Sequence, residues 1–231
     1  MNRVLKFGSV LSVALTASSA SAATVTFQLN HEFSGAATPS VVPWGSATFT
    51  DIAAGVVELR MTRFANMTSE RVTSWYFNLG ANTNDSNDAT FLPSGLSAAF
   101  VTATGAPSGT FSKRADGAST DASFKADGDG YFDFKFTWGN APGDRFGSPS
   151  ATNQEVVWHL THTAGGFNAL LFNNLSLGSG NSPNGLLHAA HIQSIGNGDS
   201  GWLTDLTVIP LPSGAGLATV GLGVLGLRRR R

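Results

Sequence analysis

The residues of this chain that could do chemistry are few. Asp127-Gly128-Asp129-Gly130, with Asp133 following, sets carboxylates at alternating positions. That is a donor set for a hard cation such as Ca2+, and Asp116 and Asp121 are nearby in the chain. The twelve-residue calcium loop needs a bidentate glutamate at its last position, and counted from Asp127 that position is Trp138. Asp-Gly is also the pair that supplies positive φ in a tight hairpin, and the turn is the stronger reading. His159 and His162, and His188 and His191, invite zinc. On a strand, residues three apart face opposite ways, so neither pair can chelate unless the strand is bulged, only one member of each could join a site shared across strands, and lone hydrogen-bonded histidines are expected. Only four glutamates are present, Glu32, Glu58, Glu70 and Glu155. Glu58 and Glu155 fall on polar strand faces and could form a glycosidase pair only at a separation of roughly 5 to 10 Å, which nothing local dictates. No Gly-x-Ser-x-Gly nucleophile elbow occurs. These residues point to a protein that is not an enzyme, with no confident metal site. Aromatic rings can serve a sugar, because they offer flat apolar faces with polar rims. Trp75, Trp138 and Trp158 belong to apolar faces, while Trp44 (in Pro43-Trp44-Gly45), Tyr76 and Tyr131 are expected to be exposed and are the candidate sugar contacts.

The elements that must position these groups are strands. Tyr131-Phe-Asp-Phe-Lys-Phe-Thr-Trp138 alternates with period two, setting Phe132, Phe134, Phe136 and Trp138 against Tyr131, Asp133, Lys135 and Thr137. The same period holds for Val25/Phe27/Leu29, Val57/Leu59/Met61, Trp75/Phe77/Leu79, Val156/Trp158/Leu160 and Trp202/Thr204/Leu206/Val208. Between these runs lie clusters of Gly, Pro, Asn and Asp. One-sided burial with frequent turns predicts an all-β fold of antiparallel strands, an antiparallel β-sandwich of jelly-roll type with about eight to eleven strands. No repeat of 20 to 50 residues is visible.

Charge and cysteine narrow the partners. The formal net charge of -1 hides an asymmetry: between Ala23 and Val208 there are 8 basic and 15 acidic residues, a balance of -7. An acidic body excludes a nucleic-acid grip built on phosphate neutralisation. With no cysteine, disulfides, thiol catalysis and thiolate metal sites are excluded together.

The two ends differ from the middle. Residues 1–22 have a basic start (Arg3, Lys6), an apolar run from Phe7 to Ala17 and the small-residue site Ala20-Ser21-Ala22, the pattern of a secretory signal helix cleaved after Ala22. Residues 23–208 form the body. In 209–231, Ile209, Pro210, Leu211 and Pro212 precede a Gly/Leu-rich stretch that ends in Arg228, Arg229, Arg230 and Arg231. The prolines bar a helix from running through them, which leaves 15 residues from Ser213 to Leu227. At about 1.5 Å each these reach roughly 22 Å, short of a hydrocarbon core of ~30 Å. Five glycines weaken the helix further. A short transmembrane helix of this kind is a temporary stop, and the arginines hold its end in the cytoplasm.

This combination resembles the PEP-CTERM sorting signal, in its Val/Ile-Pro-Leu-Pro-Ala/Ser variant. Leu211 stands where the commoner version has Glu. Ala126 to Asp133, Arg145-Phe146, Ala189 to Gly196 and Gly201-Trp202 also look like segments that recur in the ectodomains of such proteins. The resemblance implies an exosortase-type sorting enzyme as partner, with the chain tethered to the inner membrane and then passed to the cell surface or the extracellular space. On this reading the protein is exported and plays a structural or adhesive part in an exopolysaccharide-associated (biofilm) layer. A carbohydrate-binding β-sandwich module that contacts polysaccharide is the alternative, and a glycoside hydrolase the third reading.

Overall fold

The computed structural model describes residues 22–36, 43–67, 69–80, 91–118, 120–141, 144–147, 153–180, 182, 185–196 and 198–205. The expected signal segment and the tail with Ile209, Pro210, Leu211, Pro212 and the four arginines lie outside the described residues, as do Leu206 and Val208. The described chain is all-β. Its strands are β1 (Thr24–Gln28), β2 (His31–Gly35), β3 (Gly45–Ala53), β4 (Val56–Arg63), β5 (Arg71–Phe77), β6 (Leu96–Thr104) and β7 (Thr110–Lys113). There follow β8 (Lys125–Ala126), β9 (Gly130–Tyr131), β10 (Phe134–Thr137), β11 (Gln154–His162), β12 (Leu177–Gly178), β13 (His188–Ile195) and β14 (Asp199–Thr204). Helical structure among the described residues is limited to short 3-10 turns such as Ala169–Phe172, so none of it is long and apolar enough to cross a membrane.

Two antiparallel sheets pack face to face. The first has the order β1-β3-β4-β11-β6 and the second β2-β14-β13-β5-β10-β7. Their inner faces interlock through aromatic rings: Phe49 meets Phe77 at 5.3 Å edge-on, and Phe136 meets Trp158 at 5.1 Å. The alternation in β4 and β11 buries Val57, Leu59 and Met61 beside Val156, Trp158 and Leu160, as the sequence predicts. Of the residues between them, Glu58, Arg60, Glu155 and His159 stay partly exposed, while Val157 is buried. β4, β11 and β6 are neighbours in the first sheet, and the strands next to them along the chain, β5, β10 and β7, are neighbours in the second. A three-stranded ribbon therefore folds over from one sheet to the other.

A third, small sheet, β12-β9-β8, lies outside the second sheet. It brings Ala126 and Phe132 onto Tyr76 and Ala189, with Phe33, Leu186 and Trp202 around them. Asn78 ties this layer down, its buried side-chain amide donating to the carbonyls of Asn174 at 2.9 Å and Leu186 at 3.0 Å. The β8–β9 hairpin turns on Asp127 (φ 42°) and Gly128 (φ 84°), with Asp129 N–H donating to Ala126 O at 2.7 Å. Positive φ at both central residues is the I′ geometry expected of Asp-Gly.

The extra layer overturns several expectations. The single strand expected over residues 131–138 is two, because the chain leaves the small sheet at Phe132 and joins the second sheet at Phe134. Phe132 consequently packs in the outer cluster, apart from Phe134 and Phe136. Asp133, expected on an open face, is 3% exposed at this crossover. Tyr76 is buried under the small sheet, and Trp44 is 0% exposed, its backbone bonded to Leu29 O and Phe64 N while its ring enters the core. On β14 the core residue is Leu203, in register with Ala190, while Trp202 pairs with His191 on the outer face. Trp202 and Thr204 do not form the core-facing series that the pattern suggested. With apolar cover on both sides of the second sheet, period two still fixes which residues share a face but no longer says which face is the interior.

Candidate functional site

The outer face of the second sheet is half roofed by the small sheet and half open, and an aromatic ledge runs along the boundary. His191 on β13 and Trp202 on β14 are register partners, which sets their rings 4.7 Å apart at 34°. Tyr76 lies 5.6 Å from Trp202 on the roofed side and Phe33 6.3 Å away on the β2 side. Phe33 gets there because β2 is irregular opposite Trp202 and Leu203: Ser34 pairs with Trp202, Glu32 with Leu203, and Phe33 is the extra residue between them. Trp202, His191 and Phe33 are half-buried, so each shows part of a ring to solvent.

Polar groups surround the rings. The Thr73 hydroxyl lies 2.7 Å from His191 Nδ1. The Ser34 hydroxyl donates to the Asp127 carboxylate, which fixes the tip of the β8–β9 hairpin against β2. Burial lowers the pKa of His191, partly offset by the Asp127 carboxylate, so the imidazole stays neutral at physiological pH and offers its ring as a face. Farther out on the same sheet, Arg71 donates to Gln193 Oε1 at 3.1 Å. Lys135 lies over Tyr76 at 5.2 Å and Lys125 over Tyr131 at 5.0 Å, so the outward face of each tyrosine is covered by an ammonium. A ledge of this kind can stack a pyranose and hydrogen-bond its rim.

The residues proposed from sequence fare unequally. Trp44 cannot reach a ligand, and Tyr76 supports the ledge from below. Tyr131 is half-buried beneath Lys125. Asp127, Asp129 and Asp133 do not converge. Asp127 holds Ser34, Asp129 is buried behind the turn, and Asp133 accepts from Leu79 N–H at 2.8 Å and pairs with Arg114. Burial pushes the Asp133 carboxyl upward against the opposing pull of Arg114 and that amide. Among the described residues no group of three or more His, Asp or Glu side chains is arranged to hold a metal ion. His188 points into the core and accepts from Trp75 Nε1 at 3.1 Å, whereas His191 points outward, so that pair divides between faces as strand geometry requires. His159 lies by Glu58 at 3.8 Å, while His162 packs between Phe91 and Phe167.

On the first sheet's outer face, Glu58 and Glu155 do come together, but around one guanidinium. Arg60 bonds Glu58 at 2.9 Å and also Glu155. A cation stands where a glycosidic oxygen or an attacking water would have to stand. Both carboxylates hold Arg60 charged, Glu155 more strongly. A separate open cleft of about 340 Å3 is lined by Trp138, Thr110, Thr137, Ser108 and Asp144. The Trp138 N–H is already committed there, to Pro107 O at 3.2 Å.

Sequence reasoning missed the ledge because it is made by register. His191 and Trp202 are separated by a turn and look unrelated until the β13–β14 pairing is known. The usable signal was the Gly-Asn-Gly turn between two runs of opposite pattern, which announces a hairpin whose facing residues could be counted. Comparison of the chain with protein-family models, with curated proteins and with solved structures finds no match.

Proposed function

We propose that this is an exported, non-enzymatic protein of the cell surface or extracellular matrix, structural or adhesive in an exopolysaccharide-associated layer. Its tail would act as a PEP-CTERM-like signal read by an exosortase-type enzyme, after a signal peptide ending at Ala22. The observation that carries the reading is the pair of ends in the sequence, with a signal segment at one and Ile209-Pro-Leu-Pro212, a short apolar stretch and Arg228 to Arg231 at the other. The acidic, cysteine-free all-β body suits such a cargo, and the passage of one ribbon through both sheets supports the jelly-roll type. The shared guanidinium between Glu58 and Glu155 favours this reading over a glycoside hydrolase. Mass spectrometry of the protein recovered from cells tests it. The expected product starts at Ala23 and has lost everything beyond the proline motif; an intact chain in the cytosol overturns it.

A second reading, polysaccharide binding, is favoured by the Trp202–His191 ledge with its hydroxyl and carboxylate rim. Retardation in affinity electrophoresis through exopolysaccharide gels, abolished by Trp202→Ala, is the expected result. Equal mobility of both proteins removes this reading.

A further inference from the structure

Each exposed sheet edge offers a row of backbone donors and acceptors to any passing strand, and proteins blunt such edges. Among the described residues, three of the four sheet edges are blunted. β1 has five residues, the N–H of Gln28 is taken by Asp205 at 2.9 Å, and the Ala169–Phe172 turn packs beside the strand. β2 is equally short and carries His31 and Glu32. β7 has four residues and ends in Lys113.

β6 is different. It runs nine residues, Leu-Ser-Ala-Ala-Phe-Val-Thr-Ala-Thr, without a charge, a proline or a glycine. Among the described residues its only strand partner is β11, on one side. Lys113 caps only its first carbonyl, Leu96 O, at 2.6 Å. The register shift opposite Val157 and Trp158 leaves Val101 as an extra residue, 44% exposed. Phe100 pairs with Trp158 and lies edge-on to that ring at 5.6 Å, yet remains 47% exposed. Two large apolar side chains thus sit side by side on an edge that, among the described residues, one bulge interrupts but no charge or proline within the strand blunts.

We propose that β6 is a self-association edge, pairing antiparallel with β6 of a second copy across a two-fold axis and joining two first sheets into one. The occupant follows from charge. In an isologous strand pair each residue's neighbourhood meets its own copy, so a charge near the centre would face a like charge; here there is none. Two bodies of the same negative sign repel each other elsewhere, and this stretch is where they can approach without that cost. Antiparallel pairing centred on Phe100 also brings the Leu96 end, capped by Lys113, against the partner's Thr104 end, which is in register with Glu155. Lys113 lies near Asp116 and Glu155 is paired with Arg60, so neither end sets a like charge against its copy.

The absence of cysteine makes the test clean. Single cysteines are introduced into the full-length chain at Ala99, Phe100, Val101 and Ser97, with Thr26→Cys on β1 as the reference, and each protein is oxidised as recovered from cells. The expected result is disulfide-linked dimer peaking at Ala99 to Val101 and falling off toward Ser97, several-fold above the reference. The double variant Ala99→Lys/Thr102→Lys, with melting temperature measured to show that it folds, should weaken dimerisation at least tenfold in light scattering. Cross-linking no greater than at Thr26, or a dimer that persists in a double variant with unchanged melting temperature, overturns the proposal. Protection of all four β6 cysteines in a monomer also overturns it, and would assign the edge to a segment of the same chain.

Discussion

The two outer faces of the sandwich have solved the same problem in opposite ways. On the first sheet, charge stays in water: Glu58, Arg60, Glu155 and His159 form an open network in which Arg60 is 43% exposed. On the second sheet charge is taken inside: Asp133, between the small sheet and β5, is bonded to Arg114 and Leu79 while Phe132 and Tyr76 close over the same face. An ion pair in water contributes little, because solvent competes for both partners. A buried carboxylate adds little net stability as a pair, yet is costly to orphan. The difference between the faces is therefore a difference in what substitution should do.

The largest effect is expected at Asp133. Its replacement by Ala leaves the Arg114 charge without its carboxylate and the Leu79 amide without its acceptor, and should cost about 3–5 kcal/mol in a denaturant titration. A loss below about 1 kcal/mol would erase the contrast between the faces. Next comes acid. Burial holds His188 at a pKa of about 4, against 6.5 for the free side chain. Between those values the unfolded chain is protonated and the folded one is not, so stability falls as pH drops from 6.5 to 4, by about 3 kcal/mol, and is restored above 6.5. Asp133, pushed upward by burial, acts in the opposite sense, so the His188 contribution is read as the difference between the parent protein and His188→Gln. A flat difference across that range would place the imidazole in contact with solvent. Trp202→Ala should cost about 1–3 kcal/mol, since only part of the ring is buried. Smallest is Arg60→Ala, expected to cost about 0–1 kcal/mol and to lose that effect in high salt. A larger, salt-independent loss would mean that the first sheet's face is also covered.

The contrast also explains what could be read from the chain. Val57/Leu59/Met61 and Val156/Trp158/Leu160 gave their strands and faces correctly because the first sheet has one apolar side. Phe132 and Trp202 misled because the second sheet has two. Nothing between Tyr131 and Phe134 marks a break, since no glycine or proline lies there; the crossover is imposed by docking of the small sheet. The Asp127-Gly128 turn was legible because φ preference is local. Trp44 was not, because a turn residue's depth depends on what later strands place over it. The ledge needed the β13–β14 register, a long-range quantity, and the pairing of Glu58 with Glu155 needed β4 beside β11.

The folded-over ribbon has one more consequence. Because β4, β6 and β10 lead into β5, β7 and β11, the strand order in one sheet is repeated in the other. Each half still sets its own register, since β6 is bulged against β11 and β7 is regular against β10. What the crossing connections share is the choice of partner: a strand seated beside the wrong neighbour in one sheet would carry the same mistake into the opposite layer.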